Sequence, residues 1–440
     1  MAKITFNIAT NMTALQSYGG AITLETSSEV AVTGGANSNI YFGNNLTYNN
    51  SVLTGGTING YAQVANGVTT VTLTGINIAG ASYAQTLTSA DLPGLLAKTL
   101  TGGDTLIGSP GNDTLVGYGS GDTFIAGSGS NVINATGANN VAVEACGYNQ
   151  AKVTAGLTTI SVVRADGTDT MTNVQTVNFA DGRLAFSTTD DAAKVERLYQ
   201  AALGRAPDQS GLSYWTTTLD GGASLTGLAQ SFIGSAEFTS RYPAATGANS
   251  AFVTQLYQNV LGRAPDASGS SFWVDKLSSG AQSRATVLTN FSESNENLSN
   301  TALASASGIW VTDPVAAQVA RLYDTAFGRL PDAPGLTSWK VAIEGGQDNL
   351  TQVANGFVNS AEFQAKYGSL NNNDFVTALY TNTLHRAPDA TGLSSWVSKL
   401  NGGTDRGTVV VGFSESGEHV SNTSANVYGS GSSLGIKFAS

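Results

Sequence analysis

The sequence predicts an α+β, multidomain fold: a β-rich N-terminal half containing a parallel β-roll, then an all-α domain of four helical repeats. Three observations predict it. Between Gly102 and Val143 an aspartate or asparagine recurs every nine residues, at Asp104, Asp113, Asp122, Asn131 and Asn140, within a glycine-rich run. Outside that run, up to about residue 186, apolar and polar residues alternate with the period of a strand. From about Asp190 the spacing becomes helical, and one sequence core returns four times.

The 440 residues leave room for two to four domains with sizeable cores. Only 12% of them are charged and 52 are glycine, so the polar surface must be built largely from Ser, Thr, Asn and Gly. A net charge of −11 with 20 Lys plus Arg argues against nucleic acid, whose phosphates demand clustered cations, and suits a divalent cation. Cys146 is the only cysteine, which rules out an intramolecular disulfide and is expected to be a buried, inert thiol. No apolar run reaches the roughly 18 residues that span a bilayer, so no transmembrane segment is expected. The first residues, Met1-Ala2-Lys3-Ile4-Thr5-Phe6-Asn7, lack the apolar core of a Sec signal.

Residues 1–100 are expected to form a β-rich domain. Alternation is clear in Ile22-Thr23-Leu24-Glu25 and Thr70-Val71-Thr72-Leu73-Thr74, with turn signals at Gly55-Gly56, Asn59-Gly60 and Asn66-Gly67. Ser89-Ala90-Asp91-Leu92-Pro93 is placed as the cap of a short helix ending near Leu96, a lid on one end of the roll. Residues 101–187 hold the ladder and a following hairpin. After each of its first three aspartates comes a threonine and an apolar pair, Thr105-Leu106-Ile107, Thr114-Leu115-Val116 and Thr123-Phe124-Ile125. A nine-residue period fits one turn of a parallel β-roll, with glycines at the tight corner and the apolar residue pointing inward.

The segment Gly117-Tyr118-Gly119-Ser120-Gly121-Asp122-Thr123-Phe124-Ile125 resembles the calcium-binding nonapeptide repeat of secreted RTX proteins. Val177-Asn178-Phe179-Ala180-Asp181-Gly182 resembles the strand and turn that follow such repeats. The resemblance implies Ca2+ as cofactor, held between neighbouring corners by aspartate carboxylates and glycine-loop carbonyls. The implied metal ligands are Asp104, Asp113, Asp122 and Asn131, with Gly102, Gly111, Gly119 and Gly121. Residues eighteen apart should stack, Asp104 over Asp122 and Asp113 over Asn131; the neutral oxygens of Asn131 and Asn140 should weaken the later sites. The bland alternative is a roll whose Asp and Asn only make Asx-turns. The resemblance also implies export by type I secretion through an uncleaved C-terminal signal, for which the Ser/Gly-rich tail, residues 422–440, is the candidate.

The four helical units share one core: Leu198-Tyr199, Arg205-Ala206-Pro207-Asp208, Gly211 and Trp215 in the first; Leu256-Tyr257, Arg263 to Asp266, Gly269 and Trp273 in the second; Leu322-Tyr323, Arg329 to Asp332, Gly335 and Trp339 in the third; Leu379-Tyr380, Arg386 to Asp389, Gly392 and Trp396 in the fourth. The arginines are 58, 66 and 57 residues apart (205 to 263, 263 to 329, 329 to 386), so the units form two pairs, residues 190–300 and 314–421. Units one and three share Ser-Ala-Glu-Phe, at 235–238 and 360–363; units two and four share Phe-Ser-Glu-Ser, at 291–294 and 413–416. Odd and even units should therefore have distinct jobs within a pair.

Within unit one, Val195, Leu198, Tyr199, Ala202 and Leu203 make an amphipathic first helix. Proline stops it; Asp208 or Ser210 caps a second helix carrying Trp215, and a third runs from about Ser224 to Gly234. His385 replaces the Gly204, Gly262 and Gly328 of the other units, so the fourth turn is expected to be less tight. These units resemble the DUF4214 family, a bacterial domain appended to RTX-like secreted proteins and similar to part of some proteobacterial S-layer proteins.

Each repeated Arg is expected to pair with the Asp three residues on and to lie over a Tyr or Trp ring, with the tryptophans in the core; a partner or carbohydrate surface is the competing role for this set. Glu237, Glu293, Glu362 and Glu415 recur in capped helix starts, not once in a site, which disfavours acid/base chemistry. His385 and His419 are the only histidines, and neither a His-Glu-x-x-His motif nor a phosphate loop is present. No catalytic residue is assigned. The expectation is a secreted, calcium-binding, non-enzymatic structural protein of the cell surface, S-layer-like or otherwise lattice-forming. Its partners would be further copies of itself and cell-surface polysaccharide. The alternative is a monomeric extracellular adhesin or carbohydrate-binding matrix protein.

Overall fold

The computed structural model describes residues 1–83, 92–156, 158–430 and 433–439. They divide into two compact units: residues 1–145 with 150–179, and residues 146–149 with 180–440.

The first unit is mainly β-structure. Strands β1 (Lys3–Phe6), β2 (Ala21–Glu25), β3 (Glu29–Gly34), β4 (Asn37–Asn49), β5 (Val52–Ala65) and β6 (Val68–Ala79) come first. Asn66 and Gly67, both at positive φ (51° and 78°), make the two-residue β5–β6 turn that the Asn-Gly signal predicts. The other two turn signals do not end a strand. Gly55-Gly56 and Asn59-Gly60 lie inside β5, next to register shifts against its neighbours, so these glycines mark bulges that bend a 14-residue strand.

The ladder supplies β7 (Thr105–Ile107), β8 (Thr114–Val116), β9 (Thr123–Ile125), β10 (Val132–Asn134) and β11 (Val141–Val143). Each is three residues long with its middle residue buried: Leu106, Leu115, Phe124, Ile133 and Ala142. Successive strands alternate between two sheets and pair in parallel with the strand eighteen residues away, which is a β-roll. After β12 (Lys152–Ala155), β13 (Thr159–Arg164) and β14 (Gly167–Thr172), strand β14 joins β10 in parallel, and β15 (Thr176–Phe179) joins β11. One sheet thus runs β15-β11-β9-β7-β1-β6-β5-β4-β3-β2, the other β12-β13-β14-β10-β8. Strand β1 is shared, parallel to β7 and antiparallel to β6. The expected helix spans Leu92–Thr99, past Leu96; its proposed cap, Ser89 to Asp91, lies outside the described residues.

In the second unit, β16 (Gly182–Ala185) pairs antiparallel with β17 (Ile309–Thr312), a fully buried strand for which no expectation was raised. Trp310 within it stacks on Tyr148 at 4.2 Å. In unit one the helices are Asp191–Leu203, Gln209–Asp220, Leu225–Ile233 and Ala236–Arg241, the last starting at the Ser-Ala-Glu segment expected as a capped helix start, and a short helix, Pro243–Gly247, leads into unit two. Units one and two share one core and units three and four another. Gly204, Gly262 and Gly328 end the first helices in the left-handed region, and His385 adopts it too, at φ 55°. The expected looser turn in unit four is therefore absent: the loop overrides the side chain's preference. In the tail, Ile436 is buried and its N–H bonds to Asp181 at 2.7 Å. Cys146 is half-buried, more accessible than the inert core thiol expected.

Candidate metal centre

Because the strands repeat every nine residues and alternate sides, the ladder's acidic and amide residues form two stacked columns. In one, the Asp104 N–H bonds Asp122 Oδ1 at 2.9 Å and the Asp122 N–H bonds Asn140 Oδ1 at 3.1 Å. In the other, the Asp113 N–H bonds Asn131 Oδ1 at 2.9 Å. All five side chains are buried, at 3% exposure or less. Among the described residues no Lys or Arg forms an ion pair with Asp104, Asp113 or Asp122. Burial raises the Asp122 carboxyl above its ordinary range, with the Asp104 charge adding to it and backbone N–H donors from Asp104 and Gly119 opposing it. Stacked carboxylates without a counter-charge are costly, so the columns call for a cation.

The corners supply the remaining oxygens. A methyl group placed on Gly119 would meet the carbonyl oxygens of Thr101 and Gly102 at 2.6 Å; one on Gly129 would meet that of Gly111 at 2.7 Å, and one on Gly137 that of Gly119 at 2.6 Å. The Gly121 carbonyl faces Gly103 in the same way. Only glycine permits this approach. Carboxylates and converging carbonyls form an all-oxygen donor set suited to a hard cation. No three His, Cys, Asp or Glu side chains gather into a metal cluster among the described residues, so backbone carbonyls must complete any site.

Both columns extend beyond the repeat. At the leading end, the N–H groups of Ala2 and Thr10 bond Asp104 Oδ1 and Asp113 Oδ1, each at 2.6 Å, so residues 1–10 act as the roll's first turn. At the trailing end, Gln175 Oε1 accepts from Asn140 N–H at 2.8 Å and Asp169 Oδ1 from Asn131 N–H at 3.1 Å. Sequence reasoning missed Asp169 and Gln175, which lie 38 and 35 residues from the rungs they follow, with no nine-residue beat to mark them. Glu144, buried beside Asp169, is pushed up to about 8 by burial and by that neighbouring carboxylate, against the pull of Arg164.

In the helical units the repeated arginines are held most closely by glutamate, and the expected Asp is a more distant ionic partner in three units. Arg205 bonds Glu237 through two nitrogens at 2.6 and 2.8 Å, Arg329 bonds Glu362 at 2.8 and 3.1 Å, and Arg386 bonds Glu418 at 2.6 and 2.8 Å. Arg263 reaches Glu296 at 3.3 Å. The nearest Asp oxygens lie at 3.8–4.0 Å in three units, because Asp208, Asp266, Asp332 and Asp389 are occupied as helix N-caps, each accepting the N–H of the glycine three residues on at 2.8 Å. Each guanidinium lies 5.0–5.2 Å from the ring centre of the preceding Tyr. Those Tyr hydroxyls press on Gly211, Gly269, Gly335 and Gly392, which accounts for that glycine in the repeat. Trp215, Trp273, Trp339 and Trp396 are partly buried, 5.3–5.6 Å from Phe232, Phe291, Phe357 and Phe413.

The even-unit glutamates do something else. Glu293 binds Arg197, and Glu415 binds Arg321, in both cases through two nitrogens at 2.9 and 2.5 Å. Arg197 and Arg321 lie in the first helices of the odd units, and their side chains are 1% and 6% exposed. The matching positions in the even units are Gln255 and Ala378. An odd unit therefore brings the buried cation and an even unit the anion.

Two family models match the chain. The model of the RTX calcium-binding nonapeptide repeat (4 copies) matches residues 99–133. The model of the domain of unknown function DUF4214 matches residues 181–226, 229–301, 312–367 and 354–423. Neither describes an enzymatic domain. No curated protein matches. Among solved structures, the extracellular lipase LipA from Serratia marcescens is 26% identical over 18% of this chain, with a TM-score of 0.17, and the chain spans 13% of that protein's length. No helix among the described residues is long and apolar enough to cross a membrane.

Proposed function

The chain belongs to the DUF4214 family, and on that premise we propose that it is a secreted structural protein of the cell surface, calcium-dependent in its folding, whose copies assemble into an S-layer-like lattice. One observation carries the proposal: the repeated charged residues of the helical units are engaged in holding their own loops and pairs together. Glu237 and Glu362 are kept below the ordinary carboxyl range by hydrogen bonds from Arg205 and Arg329, the wrong direction for a general acid. Tandem units with rigid loops supply contact surfaces, and Tyr214, Phe272, Leu303 and Val341 stand exposed on them at 52–73%.

The RTX repeat is a calcium-binding motif typical of secreted proteins. Calcium bound there would neutralise the stacked carboxylates of Asp104, Asp113 and Asp122, with carbonyls of Gly102, Gly111, Gly119 and Gly121 and the amide of Asn131 as further donors. An ion that binds the folded roll and not the unfolded chain makes folding conditional on extracellular calcium.

Purified protein should remain monomeric in chelator and form large ordered assemblies visible by electron microscopy when calcium is added. A monomer at every calcium concentration would refute lattice formation. The adhesin reading has one feature in its favour, a cleft of about 290 Å³ within the second compact unit, lined by Ser213, Tyr214 and Thr217 of repeat one, Arg321 of repeat three and Tyr428 of the tail. Glycan-array binding by a persistent monomer would favour it.

A further inference from the structure

The geometry points to Arg164 as a built-in cation that closes the Asp113 column of the roll, standing where a metal ion would otherwise be needed. The column runs Asp113, Asn131, Asp169: the first two immediately precede β8 and β10, Asp169 lies within β14, and the residues that follow the three, Thr114, Val132 and Thr170, lie side by side on parallel strands. Asp169 is thus a genuine further rung, although a hairpin supplies it and not a nonapeptide. Its carboxylate is 1% exposed, and the Glu144 carboxylate beside it is 3% exposed.

The guanidinium of Arg164 fills the space this rung defines. Nη1 donates to the carbonyl of Gly127 at 3.1 Å, and Nη2 to the carbonyl of Gly129 at 3.1 Å and to Asp169 Oδ1 at 3.0 Å. Nε faces Glu144 Oε2 at 3.2 Å. Two corner carbonyls, the Asp169 carboxylate and the Glu144 carboxyl surround one positive charge, with the exposed Asp166 carboxylate at 3.8 Å from Nη1, and the Arg164 side chain is 8% exposed. This is the donor chemistry of the earlier corners, with a cation tethered by the chain.

The other column provides an internal comparison. Its last rungs, Asn140 and Gln175, carry no charge. There the corner carbonyl of Gly137 is met by a neutral donor, Asn173 Nδ2, at 2.7 Å. A cation is supplied on the side with buried carboxylates and a neutral amide on the side without them, which is the pattern charge compensation requires. The inference rests on calcium binding by the roll and is independent of lattice formation.

The test counts calcium ions per chain by equilibrium dialysis on the full-length protein, with thermal melting in chelator and in calcium. Arg164→Ala should bind one ion more than the wild type, and calcium should raise its melting temperature by more than it raises that of the wild type. R164A/D169N should lose the extra ion. An unchanged count in R164A overturns the assignment. Should R164A stay unfolded even in excess calcium, Arg164→Gln, which removes the charge and keeps an amide donor, takes its place, and an unchanged count there overturns it equally. A wild-type count of zero would refute the calcium reading itself, whereas a positive wild-type count that does not increase in the variant refutes only the role of Arg164.

Discussion

Replacing Glu293 by Gln should destabilise the first helical pair far more than replacing Glu237, although each removes one carboxylate from one arginine. Arg197 is 1% exposed and held by two charge-assisted bonds, so without Glu293 a guanidinium stays buried with its charge uncompensated. That situation costs about 3–5 kcal/mol. Arg205 and Glu237 are 33% and 39% exposed, and water takes over when the pair is broken. Such a pair contributes about 0–1 kcal/mol. The assay is urea unfolding monitored by hydrogen exchange of amides in Asp191–Leu203, which reports on this pair and not on the whole chain. The double variant R197M/E293Q should recover most of the loss, because no buried charge remains, and the cycle gives the coupling energy directly. Equal losses, within about 1 kcal/mol, for E293Q and E237Q would refute the argument that burial sets the difference.

Three further outcomes follow from the same structure. Chelation should lower the stability of the roll by about 2.7 kcal/mol for each ion present at a hundredfold excess over its dissociation constant, and the amides of β7 to β11 should lose protection first; protection unchanged by chelator would contradict this. His385→Gly should raise stability by about 0.5–1 kcal/mol in chemical denaturation, since histidine at φ 55° bears a strain that glycine does not, less the extra freedom glycine gives the unfolded chain. Asp181 accepts the N–H groups of Tyr148 and Ile436, yet burial raises its carboxyl to about 6 against the downward pull of those donors and of Lys340. The folded state therefore holds its proton more tightly than the unfolded chain, and this group's contribution to stability is full below pH 3.8 and lost as pH rises through about 6, by up to about 3 kcal/mol. Stability measured across that window in the wild type and in Asp181→Asn should show the trend in the former and its loss in the latter.

The sequence alone determined whatever is local or strictly periodic. A nine-residue beat admits one turn of a β-roll, and the threonine-apolar pairs place Leu106, Leu115 and Phe124 inside it. The Pro-Asp-x-x-Gly segment marks each second helix start, because an N-cap and its N–H lie three residues apart. Decisions between partners of one type fell to the tertiary structure. Sequence spacing could not tell that Arg205 takes Glu237 while Arg197 takes Glu293, 96 residues away, since both glutamates lie within two residues of a serine that caps a helix. Nor could it place Asp169 and Gln175 in the ladder, give residues 1–10 the role of its first turn, or find in Ile309–Thr312 the partner of β16. These pairings are long-range: the chain's local preferences are satisfied either way, and only packing, which buries Arg197 and leaves Arg205 at the surface, determines which charges must meet.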